Sequence, residues 1–389
     1  MIDERLRQLR LARGLSLDAL TTELGGIVSK QALSKYEQGK IRPSPTVLVR
    51  LAEALGVKAA YLAAPLTARV EFIAYRKFSG LSKKEEKRVE NVVAGALEER
   101  LRLQEKIGWI EERSLPIQSL IATNLDDAEA AAGHLRRQWS LGLDPIASVV
   151  NVLENHSIHV IEIEAGEKFD GISAVVNDTD GNLRGAGVVS RRNVAGERQR
   201  LSLAHELGHL VLKVAPTLDE EKAAFRFAGA FLAPAENLRR EVGIRRAYIG
   251  PEELMLLKGR FGMSMQALLY RMKDLSIITD THYREWAMEI SRRGWRRQEP
   301  GEMPPEQPQW LRRNVLRALA EGVMSHEEGE RMLGETLERK PSLTLEQRRS
   351  FMKLSLDDRR RMLAEQAERM TSHYDRGVKT SGGSPRGTR

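Results

Sequence analysis

Along the first 65 residues the apolar positions recur at helical spacing. Leu6, Leu9, Leu17, Leu20, Leu24, Leu33, Leu48, Leu51 and Leu55 carry the pattern, and Gly14, Gly25, Gly39 and Gly56 break it. This predicts a bundle of short helices. Residues 70–75 are β-prone. Ser82-Lys83-Lys84-Glu85 then has the form of a capping box opening a charged helix with Val89, Val92, Ala96, Leu97 and Leu101 along it. From about residue 125 the pattern becomes mixed. Helices are predicted over 128–139, 145–154, 201–211 and 220–232. Strands are predicted over 158–163, 172–176 and 185–190, the last two separated by the turn-forming Asn177-Asp178-Thr179-Asp180-Gly181-Asn182. Beyond 280 the chain reads as helical and basic, interrupted at Glu299-Pro300-Gly301 and Pro304-Pro305. Residues 381–389, rich in Gly, Ser and Arg, are expected to be disordered.

Composition narrows the class. With 389 residues the chain can fill two or three cores. No apolar run approaches a membrane span, and none follows a basic lead as in a signal peptide, so a cytoplasmic protein is expected. Cysteine is absent, which excludes disulfides and leaves any metal to His, Asp and Glu. The net charge of +8 favours an acidic partner such as nucleic acid.

Two segments carry recognisable chemistry. In the first, Ser29 can cap a helix in which Ala32, Leu33 and Tyr36 turn inward. Ser29, Lys30, Gln31, Ser34 and Lys35 then lie outward near its start, where such side chains suit phosphates and base edges in a major groove. In the second, His205-Glu206-Leu207-Gly208-His209 places two imidazoles one turn apart on a helix, with Leu203, Ala204, Leu207, Leu210 and Val211 burying it. A catalytic zinc takes three protein ligands and keeps one position for water, whose pKa falls to about 7. His205 and His209 would be two ligands and Glu206 the base acting on the water, giving peptide hydrolysis. The next acidic cluster is Asp219-Glu220-Glu221, and helical phase alone leaves Glu220 and Glu221 both open as the third ligand.

Both segments resemble known families. Residues 5–57 resemble the XRE (Cro-type) repressor helix-turn-helix. The resemblance is carried by Arg10-Leu11-Ala12-Arg13-Gly14-Leu15-Ser16, Ser34-Lys35-Tyr36-Glu37-Gln38-Gly39-Lys40, Pro43-Ser44 and Leu51-Ala52-Glu53-Ala54-Leu55-Gly56-Val57. It departs at Thr21, where Ala is frequent, and at Gly25-Gly26-Ile27, which lengthens the turn. Residues 125–280 resemble the ImmA/IrrE metallopeptidases through Phe169-Asp170-Gly171-Ile172-Ser173-Ala174, Arg198-Gln199-Arg200-Leu201-Ser202-Leu203-Ala204 and Phe231-Leu232-Ala233-Pro234. Glu221, Ala224, Phe227 and Ala228 match as well. That resemblance implies a zinc endopeptidase of narrow range cleaving repressors of stress or mobile-element genes, and it makes Glu221 the third zinc ligand. Phe225 stands where the family often has Asn. Asp170-Gly171 reads as a turn setting a strand edge, and His156 and His159 as structural.

The expected fold is therefore multidomain: an all-α helix-turn-helix bundle at 1–65, a helical connector at 66–124, an α+β zincin-like metallopeptidase domain at 125–280, a helical C-terminal extension at 281–380 and a tail at 381–389. Ser355-Leu356-Asp357-Asp358 opens a basic helix running to Met370. It resembles the peripheral segment of some bacterial antitoxins, implying a toxin partner, with a solvated charged helix as the plainer reading. The partners expected are a double-stranded DNA operator, a protein substrate such as a helix-turn-helix repressor, and a second copy of the chain on paired half-sites. The alternative function is a non-proteolytic transcription factor or antitoxin whose zinc domain senses a signal or binds a partner. The intact Glu206 favours the enzyme.

Overall fold

Serine caps set the opening helices. In the computed structural model, which describes residues 2–66, 68–73, 81–108, 115–167, 169–178, 180–338, 350–361 and 364, five short helices come first. They are α1 (Ile2–Ala12), α2 (Leu17–Glu23), α3 (Lys30–Glu37), α4 (Pro45–Ala54) and α5 (Ala59–Ala63). The hydroxyls of Ser16, Ser29 and Ser44 accept from the backbone N–H groups of Ala19, Ala32 and Val47, so α2, α3 and α4 each begin one residue after a serine. Leu6, Leu20, Leu33, Leu51, Leu55 and Leu62 fill one shared core. Arg10 ties α1 to α3 by donating to both oxygens of Glu37, at 2.6 and 2.8 Å, and to the Leu15 carbonyl. In the lengthened turn Gly25 and Gly26 sit at φ 65° and 75°, leaving Ile27 exposed between the buried Leu24 and Val28.

The stretch expected to act as a connector also builds the central sheet. It supplies β1 (Ala68–Ile73) and the long α6 (Lys83–Lys106), where Ser82 caps the helix by accepting the Glu85 N–H but the Glu85 carboxylate pairs with Arg88 and does not close the expected box. There follow β2 (Leu120–Ala122), α7 (Leu125–Gln138), α8 (Val149–Asn155), β3 (Ile158–Ile163), β4 (Gly171–Asp178) and β5 (Leu183–Arg191). The sheet order is β1-β4-β5-β3, with β3 parallel to β5 and the other neighbours antiparallel. Alternation along the strands separates two faces. Ile161, Ile163, Ile172, Val176 and Val189 meet Val89, Val93, Leu97 and Leu101 of α6. Val160, Val175, Ala186 and Val188 join the larger core shared by α7, α8, α9 (Gly196–Val211) and α10 (Glu220–Leu232). Between α9 and α10, β6 (Leu212–Val214) pairs in parallel with β2.

One local expectation needs correction, and one feature was not foreseen. The helix predicted over 145–154 starts only at Val149, because Ser148 caps it by accepting the Asn151 N–H at 3.1 Å. The parallel pair β2–β6 was not anticipated; three-residue strands carry no legible alternation.

Further helices follow: α11 (Ala235–Val242), α12 (Pro251–Phe261), α13 (Met265–Asp274), α14 (Asp280–Arg292), α15 (Trp310–Ala320) and α16 (His326–Leu333). The architecture is thus an N-terminal helical bundle, a central α+β domain with a mixed sheet, and a helical C-terminal region. The bundle is fastened to α6 by Arg5, which is fully buried. Its guanidinium pairs bidentately with Glu98, 2.7 Å in one arm, and donates to the Pro65 carbonyl at 2.9 Å.

By packing the chain divides into two units, Met1–Leu333 and Gly334–Arg389. In the second, the Ser355 hydroxyl accepts the Asp358 N–H at 3.2 Å and opens a helical stretch. Most of the basic run towards Met370, and residues 381–389, lie outside the described residues. Among the described residues no helix is long and apolar enough to cross a membrane.

Candidate metal centre

The two histidines come from α9 and a glutamate comes from α10. His205 and His209 are 5% and 2% exposed, and their Nε2 atoms stand 3.1 Å apart. Glu221 bridges the gap. Its Oε2 lies 3.3 Å from His205 Nε2 and its Oε1 lies 3.3 Å from His209 Nε2. With one ligand atom taken from each residue, the three lie within 4.8 Å of one another, close enough for a single small divalent ion to gather them. The donor set, two imidazoles and a carboxylate, is the set a borderline-soft ion accepts when no thiolate is present. Glu221 is half exposed, so the cluster is closed by protein on the histidine side and open on the glutamate side.

Gly208, inside the His-Glu-x-x-His segment, makes this convergence possible. A Cβ there would meet the Ala224 Cα and the Phe227 ring, each at 3.2 Å. The bare backbone lets α10 approach α9 closely and swings Glu221 over the imidazoles. The neighbouring Glu220 lies on the other side of His209, with Oε1 3.4 Å from Nδ1. It is placed to hold that ring, leaving Nε2 for the cluster.

Glu206 is 1% exposed and borders the same cavity as His205 and Glu221. It lies against the first residue of β4: a Cβ on Gly171 would be 3.0 Å from its Cγ and 3.1 Å from its Oε1. Gly171 thus keeps open the space the carboxylate occupies. Asp170 pairs with Arg198 instead of reaching the cluster, in keeping with its reading as part of a strand-edge turn. Glu206, Gly171, Asp170, Arg198, Leu201 and Phe225 border a cavity of about 370 Å³ that His205 and Glu221 also face. Phe225 occupies the position where Asn is frequent in the resembling family, and its ring centroid sits 4.1 Å from that of His205.

The start of α9 is anchored by the buried Arg200. It donates to the carbonyls of Ile146 (2.6 Å), Ala147 (3.2 Å) and Gly262 (3.1 Å) and pairs with Glu306. The other two histidines singled out in the sequence lie elsewhere. His156 stacks on Trp139 at 4.1 Å. His159 is buried in β3, edge-on to Trp310 at 4.5 Å. Burial, with the Arg100 charge adding to it, holds the His159 pKa down at about 3, so the ring is neutral.

In the helical bundle, Lys30, Gln31 and Lys35 are exposed on α3. The hydroxyl of Ser29 serves as the cap, and that of Ser34, half-buried, accepts from Gln38 Nε2 at 3.0 Å. Lys30 Nζ lies 2.7 Å from Asp18 Oδ2, with both side chains more than half exposed, so this surface pair costs little to open.

Sequence reasoning missed Gly208, the Glu220–His209 contact and the Phe225–His205 packing. Only Gly208 left a signal, as a glycine in mid-helix, which is costly unless a neighbour must come close.

Comparison with known proteins yields two family matches. Residues 6–62 match the helix-turn-helix family model, and residues 154–273 match that of the IrrE N-terminal-like domain, a peptidase family. His205, Glu206, His209 and Glu221 all fall within the second match. None of the curated proteins matches the chain. The two matches stand in the order read from the sequence, an XRE-type helix-turn-helix domain followed by an ImmA/IrrE-like peptidase domain.

Proposed function

We propose that this chain is a DNA-binding transcriptional regulator whose peptidase-like domain is a zinc-dependent endopeptidase. The observation that carries the reading is the cluster of His205, His209 and Glu221, whose ligand atoms lie within 4.8 Å of one another, beside a cavity that Glu206 also borders. His205, His209 and Glu221 would hold the zinc, and Glu220 would orient His209. When bound, zinc supplies the Lewis acidity that polarises a scissile carbonyl. Glu206 takes one proton of the attacking water and returns it to the leaving amine nitrogen, so peptide and water become a carboxylic acid and an amine.

The substrate proposed is a repressor or other regulatory protein in a stress, mobile-element or toxin–antitoxin response. Ser29, Lys30, Gln31, Ser34 and Lys35 would face the operator, with the lysines on phosphates and Gln31 on a base edge. One helix-turn-helix per chain suggests that two copies bind paired half-sites.

The test is metal-dependent cleavage. The full chain is stripped with a chelator, then reloaded with one equivalent of zinc, and each form is incubated with a randomised peptide mixture and with repressors encoded nearby. Cleavage should vanish on stripping and return with zinc. Cleavage that ignores the chelator, or none from the reloaded chain, would overturn the reading.

A further inference from the structure

A second cavity opens one helical turn from the candidate metal centre. On α9, Leu201 precedes His205 by four residues. On α10, Phe225 follows Glu221 by four and Gly229 by eight, so both helices carry one stripe away from the cluster. Leu201 and Phe225 border the metal-facing cavity and also this second one, of about 450 Å³. Most of its exposed wall is apolar or aromatic, with Met263, Ala267, Tyr270 and Tyr283 beside the polar Ser264 and Gln266. Tyr270 and Tyr283 meet edge to face at 6.2 Å, and Lys273 Nζ lies 5.3 and 5.2 Å from their ring centroids, which fixes both rings.

The charges around this cavity cancel each other. Arg226 pairs with Asp274 and, at 2.7 Å, with Glu129; Arg271 donates to the same Glu129 at 2.6 Å. Arg226 also lies 3.6 Å from Asp126, so with Lys222 three cations face three carboxylates and no net charge is left for a ligand to neutralise. Lys222 stands at the rim in solvent. A cavity of this volume, with mostly apolar walls and a self-paired ionic border, takes an uncharged apolar group. Phe225, half exposed and packed on His205, is the partition between it and the candidate centre.

We infer that this cavity is a side-chain subsite of the peptidase: it receives a large apolar residue, aromatic by preference, next to the bond that is cut. The inference rests on the peptidase reading and adds the substrate's chemistry to it. Tyr270 and Ala267 set the specificity, and Phe225 positions the incoming side chain. Full burial of a benzyl group in place of a methyl group should favour binding by about tenfold or more.

The experiment measures binding, so it does not depend on turnover. Dipeptide hydroxamates carrying Phe or Ala at each position are titrated calorimetrically into the zinc-loaded full chain. At one position Phe should bind at least about tenfold more tightly than Ala. Ala267→Trp, which fills the subsite, should bring that ratio close to one. Tyr270→Ala, at an exposed position where folding is not at risk, should lower the ratio several-fold. Equal binding of Phe and Ala forms, or a preference that survives both variants, would overturn the subsite and leave the peptidase reading intact. If no hydroxamate binds the zinc-loaded chain, the metal centre itself is refuted and the subsite falls with it.

Discussion

Gly208 and Ala224 approach so closely that a Cβ on the first would lie 3.2 Å from the Cα of the second. This contact fixes the α9–α10 distance one turn from Glu221. Gly208→Val should therefore push α10 outward, lower zinc affinity by about tenfold or more, and cost about 1–3 kcal/mol through overpacking. Gly208→Ala should do the same more weakly. Zinc titration against a competing chelator, with thermal melting of the stripped protein alongside, checks both. A Val variant that binds zinc as the wild type does would mean that helix spacing does not set the centre.

The two neighbouring glutamates should separate cleanly. Glu221→Gln should lose zinc affinity and peptidase activity together. Glu220 contacts only the outer nitrogen of His209, at 3.4 Å and half exposed, so Glu220→Gln should lose much less of either. The reverse ranking would exchange their roles.

How much of this was legible in the sequence depended on range. Caps are local, so Ser29 and Ser82 announced α3 and α6, and an i, i+4 histidine pair needs only a helix to become a site. The strands of the central sheet were found by alternation over 158–163 and by the turn-forming residues 177–182 between the other two. What escaped depends on partners far along the chain. Arg5 meets Glu98 across 93 residues, and nothing near either announces the pair. The mid-helix Gly208 acquires its purpose only when α10 is laid against it. Helical phase left Glu220 and Glu221 undecided because adjacent residues at a helix start can both turn towards the preceding helix, and here both touch His209. The resemblance, not the spacing, distinguished them.

For the DNA-facing surface, replacing Lys30, Gln31 and Lys35 together with Ala should weaken operator binding without unfolding the bundle, since none belongs to its core. Loss of the two lysines should also reduce the slope of affinity against salt by about 2, if each contributes one phosphate contact. Binding isotherms at several salt concentrations provide the measurement. Unchanged affinity would show that α3 is not the reading helix.

His159 should make the fold acid-sensitive. The unfolded chain takes up a proton on this histidine near 6.5, the folded chain only near 3. The unfolded state thus binds more protons between these values, and the stability that the neutral ring contributes above pH 6.5 is lost progressively as pH falls towards 3. His159→Gln should flatten this part of the stability profile in denaturant titrations. An identical pH dependence in the variant would place the acid sensitivity elsewhere.

The central claim is that Glu206 moves the proton while His205, His209 and Glu221 hold the metal. Glu206→Gln keeps the volume of the side chain and removes only its basicity. Zinc content by atomic spectroscopy and cleavage of a substrate repressor should be measured on the same preparations of wild type and variant. The account predicts one equivalent of zinc in both, with cleavage in the variant reduced by about a hundredfold or more. Undiminished cleavage by the zinc-loaded variant would contradict it.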